Sequence, residues 1–108
     1  MKVSFTKFYD EKDNRIEYLL INYEYYDGNE LIVRILTEEF GFIVVSQLDG
    51  IWFKKIRIKK NESIYELLWH EDLGNSIYSL IQTDYENKLL ETLMNKVIDI
   101  LNEKCTDA

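Results

Sequence analysis

The chain has 108 residues, 46% of them hydrophobic, and its 20 acidic and 13 basic residues give a net charge of −7. This length and apolar content suit one globular domain spanning residues 1–108 and argue against disorder. The acidic balance argues against nucleic-acid binding, because contacts to phosphate dominate that affinity.

Runs of β-branched and aromatic residues alternate with turn signals over residues 1–82, which predicts a strand-rich region. Two Asp-Gly pairs, Asp27-Gly28 and Asp49-Gly50, favour tight hairpin turns between antiparallel strands. The predicted strands are 3–9, 15–26, 30–37, 42–48, 51–58, 64–69 and 76–82.

The pattern changes to helical spacing over residues 83–104. Thr83 and Glu86 fit a capping box, in which each side chain bonds to the backbone amide of the other residue. The apolar residues that follow recur every three or four positions and form one stripe. We expect four of them to be buried against the sheet: Leu89, Leu93, Val97 and Leu101.

Together these elements predict an α+β fold, an antiparallel β-meander of about five to seven strands with one C-terminal α-helix packed on the sheet. The second strand is apolar on both faces, with Tyr18 and Leu20 on one side and Leu19 and Ile21 on the other. Three explanations remain open: a bulge that shifts the register, a sheet that curls on itself, or a partner chain that covers the second face.

The charge is distributed unevenly along the chain. Residues 1–60 contain ten acids and ten bases, whereas residues 61–108 contain ten acids and three bases. The excess negative charge therefore falls on the last two strands, their loop and the helix. Such a surface attracts basic partners and repels nucleic acid. The basic run 54–60 reads instead as a strand with one solvated face, because Lys55, Arg57 and Lys59 alternate with isoleucines.

The inventory of catalytic and metal-binding groups is small. His70 is the single histidine, and Cys105 is a single cysteine without a neighbouring base, so we expect no metal site, no cofactor and no internal disulfide. His70 beside Glu71 or Asp72 permits general-base chemistry, but the same residues are typical of a turn between two strands. We expect His70 to have a structural role in this turn and no catalytic role. With no apolar stretch of membrane-spanning length, the predicted location is the cytoplasm.

In general character, as a short acidic α+β domain without catalytic motifs, the chain resembles the small immunity proteins with which bacteria neutralise secreted toxins. The stretch 69–75, WHEDLGN, followed by the helix adds to this resemblance. The resemblance implies direct binding of a basic protein partner, a toxin or nuclease, but it transfers no family residue to this chain. Inhibitors of phage-defence nucleases share the same character.

The residues predicted to contact such a partner are Trp69, Glu71 and Asp72. Strand alternation places Trp69 on the same face as Tyr65 and Leu67, which fits a core position as well as an interface position. The alternative functions are a homodimeric or subunit-type structural protein without chemistry of its own, and an enzyme that uses His70 with Glu71 or Asp72.

Overall fold

The computed structural model describes residues 2–23 and 27–105, with side chains as far as Glu103. The predicted fold class is confirmed: a six-stranded antiparallel sheet carries the C-terminal helix, and a shorter helix is added. The thiol of Cys105 and the predicted strand end at 24–26 lie outside the described residues. The elements, in chain order, are β1 (Ser4–Asp10), β2 (Arg15–Ile21), α1 (Gly28–Phe40), β3 (Ile43–Asp49), β4 (Phe53–Lys60), β5 (Ser63–His70), β6 (Gly74–Ser79) and α2 (Asp84–Cys105).

The predicted strand at 30–37 is wrong, because this segment forms α1. Ile32, Ile35 and Leu36 are buried at helical spacing. The hairpin predicted at Asp27-Gly28 is replaced by the start of this helix, where the Asp27 carbonyl accepts the amide of Glu30 at 3.2 Å. Burial of one helical stripe therefore outweighs the strand preference of the β-branched residues.

The strand order across the sheet is β1-β2-β6-β5-β4-β3. The four strands β3 to β6 follow one another as a meander, and the β1–β2 hairpin joins this meander at β6. Helix α1 connects β2 to the opposite edge of the sheet, where β3 lies. Asp49 and Lys54 face each other across the β3–β4 turn, so the hairpin predicted at Asp49-Gly50 is confirmed.

The core lies between one face of the sheet and the two helices. Cross-strand pairing puts Ile56 opposite Leu67, and Leu67 opposite Ile77, on this face. From the helices, Leu36 and Met94 complete the layer without solvent exposure. The alternation predicted for the basic run is present as well, since the isoleucines of β4 point into the core.

Helix α2 begins as predicted, but its buried stripe is rotated relative to the expectation. The amide of Glu86 donates to Thr83 Oγ1 at 3.1 Å, which is one half of the predicted capping box. Val97 and Leu101 are fully buried as expected, and Leu93 is partly buried. Leu89 is 39% exposed, so its predicted burial is wrong; the adjacent Leu90 takes the core position with no exposed surface.

Charged side chains cover the centre of the sheet face that points away from the helices. The Tyr78 hydroxyl donates to the Glu66 carboxylate, which also accepts from Arg57 at 3.2 Å. The guanidinium of Arg15 lies 3.7 Å from the centroid of the Tyr78 ring and bonds Glu17 at 2.8 Å. Tyr78 is only 1% exposed as a result. The chain itself therefore closes the middle of its second face through ion pairs and a cation–π contact.

Candidate interaction surface

The β5–β6 turn is organised around His70. Residues 71–73 form the turn, because His70 and Gly74 are the last facing pair of the two strands. The Leu73 amide donates to the His70 carbonyl at 3.2 Å, and the Asp72 amide donates to His70 Nδ1 at 3.1 Å. Gly74 has a φ of 85°, a conformation that residues with a side chain rarely adopt. The imidazole of His70 thus accepts a backbone hydrogen bond that shapes the turn.

The β3–β4 turn lies directly beside this turn. The Gly50 amide donates to the Phe53 carbonyl at 2.8 Å and closes the β3–β4 turn. The Glu71 amide donates to the Trp52 carbonyl at 3.0 Å and joins the two turns. A depression of about 390 Å³ lies between them, lined by Trp52, His70, Glu71 and Asp72. Strand pairing therefore brings a tryptophan next to two of the three residues predicted to contact a partner.

Large apolar side chains are exposed around this depression. Ile51 is 84% exposed, Leu73 64% and Trp52 59%. Exposed carboxylates from both turns surround them. We call this set the turn surface; it consists of Asp49, Ile51, Trp52, Glu71, Asp72 and Leu73.

The buried lysine next to the turn surface is bound by helix α1. Lys54 is 2% exposed, and its Nζ lies 2.9 Å from Glu30 Oε1 on α1. The hydrogen bond and positive charge of Lys54 lower the pKa of Glu30. Lys54 therefore has a partner in helix α1, and the turn surface itself contains three carboxylates and no basic residue.

The structure separates Trp69 from the other two predicted contact residues. Trp69 lies on the core-facing side of β5, with Lys54 and Asn75 as its cross-strand neighbours, and it is half-buried. Glu71 and Asp72 are exposed in the turn. Trp52, which was not among the predicted contact residues, supplies an exposed aromatic group at this end of the sheet. The available signal was its position two residues after the Asp49-Gly50 turn, where a bulky residue need not enter the strand.

A second depression, of about 440 Å³, lies between α2 and the β4–β5 turn. Phe42 and Tyr65 form part of its wall, with ring centroids 5.5 Å apart, and Leu89 faces it from α2. Burial raises the pKa of Tyr65. Ser63 Oγ donates to Glu86 Oε1 at 2.7 Å, so this carboxylate is engaged by the chain itself.

Over the part of the chain that the structure describes, no group of three or more histidine, cysteine, aspartate or glutamate side chains is placed to hold a metal ion. Among the same residues, no helix is long and apolar enough to cross a membrane. No family model, curated protein or solved structure matches the chain.

Proposed function

We propose that this chain is a cytoplasmic immunity protein or inhibitor, which neutralises a basic toxin or nuclease by binding it directly and performs no chemistry of its own. The observation that carries this proposal is the turn surface, where exposed tryptophan, isoleucine and leucine side chains lie among three carboxylates. The resemblance of the sequence to bacterial immunity proteins is the reason for proposing a toxin or nuclease as the partner.

The apolar part of the turn surface supports binding of a protein rather than a small ion. Trp52 is 59% exposed and sits beside a depression, an arrangement that leaves most of a large, rigid side chain available to a partner. Tryptophan is enriched among the residues that dominate interface energies, because it buries much area with few rotamers to restrict. Ile51 and Leu73 extend the apolar contact on either side of it.

The three carboxylates of the turn surface favour a partner with a positively charged surface. Asp49, Glu71 and Asp72 come from two turns that one hydrogen bond holds together, so their spacing is fixed before a partner arrives. Carboxylates form charge-assisted hydrogen bonds with lysines and arginines, which are the residues that a nuclease uses to bind phosphate. The net charge of −7 adds a long-range negative field, which accelerates association with a basic protein.

His70 has a structural task in the same place, which supports binding over catalysis. Its Nδ1 accepts the Asp72 amide and so holds the carboxylate-bearing turn in shape. When Nδ1 is the acceptor, Nε2 of the neutral ring carries the proton, so neither ring nitrogen is free to act as a general base. In this proposal His70 positions Glu71 and Asp72 and reacts with nothing.

The test screens basic secreted toxins and nucleases for binding, beginning with the products of the genes next to the gene for this chain, and uses the one that binds as the probe. Association and dissociation rates are measured at low and high salt for the wild type and for the double variant Glu71→Lys, Asp72→Lys. The matched control is Glu38→Lys, Glu39→Lys, which makes the same change of net charge on two exposed acids of α1. We expect association to slow about ten-fold or more in the turn variant and much less in the control.

The apolar contact is tested in the same assay with Trp52→Ala. Its control is Tyr85→Ala, which removes a 70% exposed aromatic side chain from α2. We expect Trp52→Ala to raise the dissociation rate, with a loss of about 2 kcal/mol or more in binding free energy, as at interface hot spots. An association rate that does not change with salt, or equal effects of the two double variants on that rate, would show that the turn surface does not bind the partner.

A further inference from the structure

The depression between the β3–β4 and β5–β6 turns has aromatic and acidic walls. A space of about 390 Å³ is lined by one tryptophan, one histidine and two carboxylates: Trp52, His70, Glu71 and Asp72. None of these lining residues is a lysine or an arginine. The depression between α2 and the β4–β5 turn differs, because two lysines contribute to its wall. The depression at the turn surface therefore favours a cationic ligand.

Its two carboxylates have no partner within the described part of the chain. Glu71 and Asp72 are exposed, and neither side chain accepts a hydrogen bond or forms an ion pair there. Their backbone amides are bonded instead, to the Trp52 carbonyl at 3.0 Å and to His70 Nδ1 at 3.1 Å. Backbone hydrogen bonds thus hold the turn in shape while both charged groups remain available to a ligand.

The lysines of β4 that follow Trp52 most closely in the chain have contacts elsewhere. Lys54 Nζ lies 2.9 Å from Glu30 Oε1 on α1. Lys55 Nζ lies 5.7 Å from the centroid of the Phe53 ring, within the range of a cation–π contact. Neither lysine lines the depression. Among the residues that the structure describes, no base of this chain therefore neutralises the two carboxylates.

Trp52 selects among cations. It is 59% exposed, and the hydrogen bond from the Glu71 amide holds its backbone beside the acidic turn. Tryptophan attracts cations over its ring face more strongly than other aromatic residues, and arginine occupies such positions more often than lysine. A guanidinium is planar and weakly hydrated, so it can stack on the ring while its N–H groups donate to carboxylates. An ammonium is a compact, strongly hydrated charge and gains less from the ring.

We infer that this depression binds the guanidinium of an arginine side chain on a protein partner, stacked on Trp52 and hydrogen-bonded to Glu71 and Asp72. Its volume lies at the low end of the range of about 300–1,000 Å³ for ligand pockets, which suits one side chain. The exposed Ile51 and Leu73 offer apolar surface to the methylene stem of the arginine. No lysine or arginine lines the depression to pair with the carboxylate of a free amino acid.

For the identity of the partner this inference rests on the proposed function, but the depression can be tested on this chain alone. The probes are the N-acetyl methylamides of arginine, lysine and citrulline, the last of which has the planar shape of arginine without its charge. Each is titrated into the ¹⁵N-labelled wild type and followed by two-dimensional nuclear magnetic resonance. The chain has two tryptophans, so the indole signal of Trp69 is an internal reference for that of Trp52.

We expect the arginine compound to bind with a dissociation constant on the order of 1–10 mM, as one side chain without the rest of an interface. It should shift the indole signal of Trp52 and the amide signals of Glu71 and Asp72. The citrulline compound should bind about ten-fold more weakly or worse, because it lacks the charge. The lysine compound should bind several-fold more weakly than the arginine compound.

A charge-neutral double variant, Glu71→Gln with Asp72→Asn, keeps the shapes of both side chains. Its matched control is Glu38→Gln with Glu39→Gln on two exposed acids of α1. We expect the turn variant to lose about ten-fold or more in affinity for the arginine compound, and the control to bind as the wild type does. Trp52→Leu should remove the preference for arginine over lysine. The spectrum of each variant also reports whether its fold is intact.

The comparison of the three compounds needs only the wild type, so it decides the matter even if a variant fails to fold. Equal binding of the arginine and citrulline compounds, or shifts confined to residues outside the depression, would overturn the inference. Equal binding of the arginine and lysine compounds would contradict the choice of a guanidinium. Free arginine that binds about ten-fold more tightly than the blocked compound would indicate a site for a free amino acid and contradict a protein partner.

Failure of the proposed function gives a different result. If the arginine compound binds at the depression but no basic toxin or nuclease binds the chain, the proposed function is wrong and the guanidinium site is supported. If a toxin complex forms more slowly with the Glu71→Lys, Asp72→Lys variant but the arginine compound does not bind the wild type, the guanidinium site is wrong and the proposed function is supported.

Discussion

Replacing Leu90 with alanine, and separately its neighbour Leu89, tests how α2 lies on the sheet. The two residues are adjacent on one helix and chemically identical, so the substitutions change helix propensity equally. Leu90 has no exposed surface, whereas Leu89 is 39% exposed beside the cleft. The two variants therefore differ chiefly in the packing that is lost.

The expected magnitudes follow from that difference. A fully buried leucine truncated to alanine loses its transfer free energy and leaves a cavity, so Leu90→Ala should destabilise the fold by about 2–5 kcal/mol. Leu89 faces the cleft, where solvent or neighbouring side chains fill the space, and Leu89→Ala should cost about 1 kcal/mol or less. For a domain with a total stability of about 5–15 kcal/mol, the first loss is large and the second is small.

Urea unfolding followed by far-ultraviolet circular dichroism measures both losses at one protein concentration. The slope of the unfolding free energy against urea should be the same in both variants, so that the midpoints report stability. Equal losses, or a larger loss for Leu89→Ala, would show that the helix is rotated from the orientation described and that the sequence stripe centred on Leu89 faces the core.

Two further predictions concern single side chains. Burial, aided by the charge of Glu91, raises the pKa of Tyr18 to about 12, so its stabilising contribution is complete below about pH 10 and is lost as the pH rises through about 12. Stability measured from pH 8 to 12 should therefore fall more steeply in the wild type than in Tyr18→Phe, and parallel curves would contradict this linkage. Under the proposed function, His70→Ala should leave neutralisation of the partner intact apart from a modest loss of affinity. Complete loss of neutralisation, with fold and partner binding unchanged, would instead assign His70 a chemical role.

Local signals predicted the elements whose determinants lie within a few residues. Asp49-Gly50 specifies a hairpin by its backbone preference, and the structure places the turn there. Thr83 and the apolar stripe that follows specify α2, and the Thr83 hydroxyl accepts the expected amide. In both cases the sequence signal and the tertiary structure favour the same answer.

Helix α1 could not be read in the same way because its sequence satisfies two patterns. Residues 30–37 contain β-branched residues that favour a strand, while Ile32, Ile35 and Leu36 also fit one face of a helix. Asp27-Gly28 fits either a hairpin or a helix start. The choice depends on the sheet: β2 pairs with β6, so the chain must cross to the far edge before β3 begins. This constraint comes from the pairing of strands that are distant in the chain, so it cannot be read from residues 30–37 alone.

The turn surface depends on the pairing of β4 with β5, which likewise cannot be read from either turn alone. Phe53 lies opposite His70, and this register sets the preceding residue, Trp52, beside Glu71. The contact residues predicted from the sequence, Glu71, Asp72 and Trp69, are neighbours in the chain. Trp52, which lies next to Glu71 in space, was not among them. Because a slip of one residue turns every side chain of a strand to the other face, the same register that buries Ile56 and Leu67 also positions Trp52. The proposed binding surface and the packing of the core are consequently determined by one strand pairing.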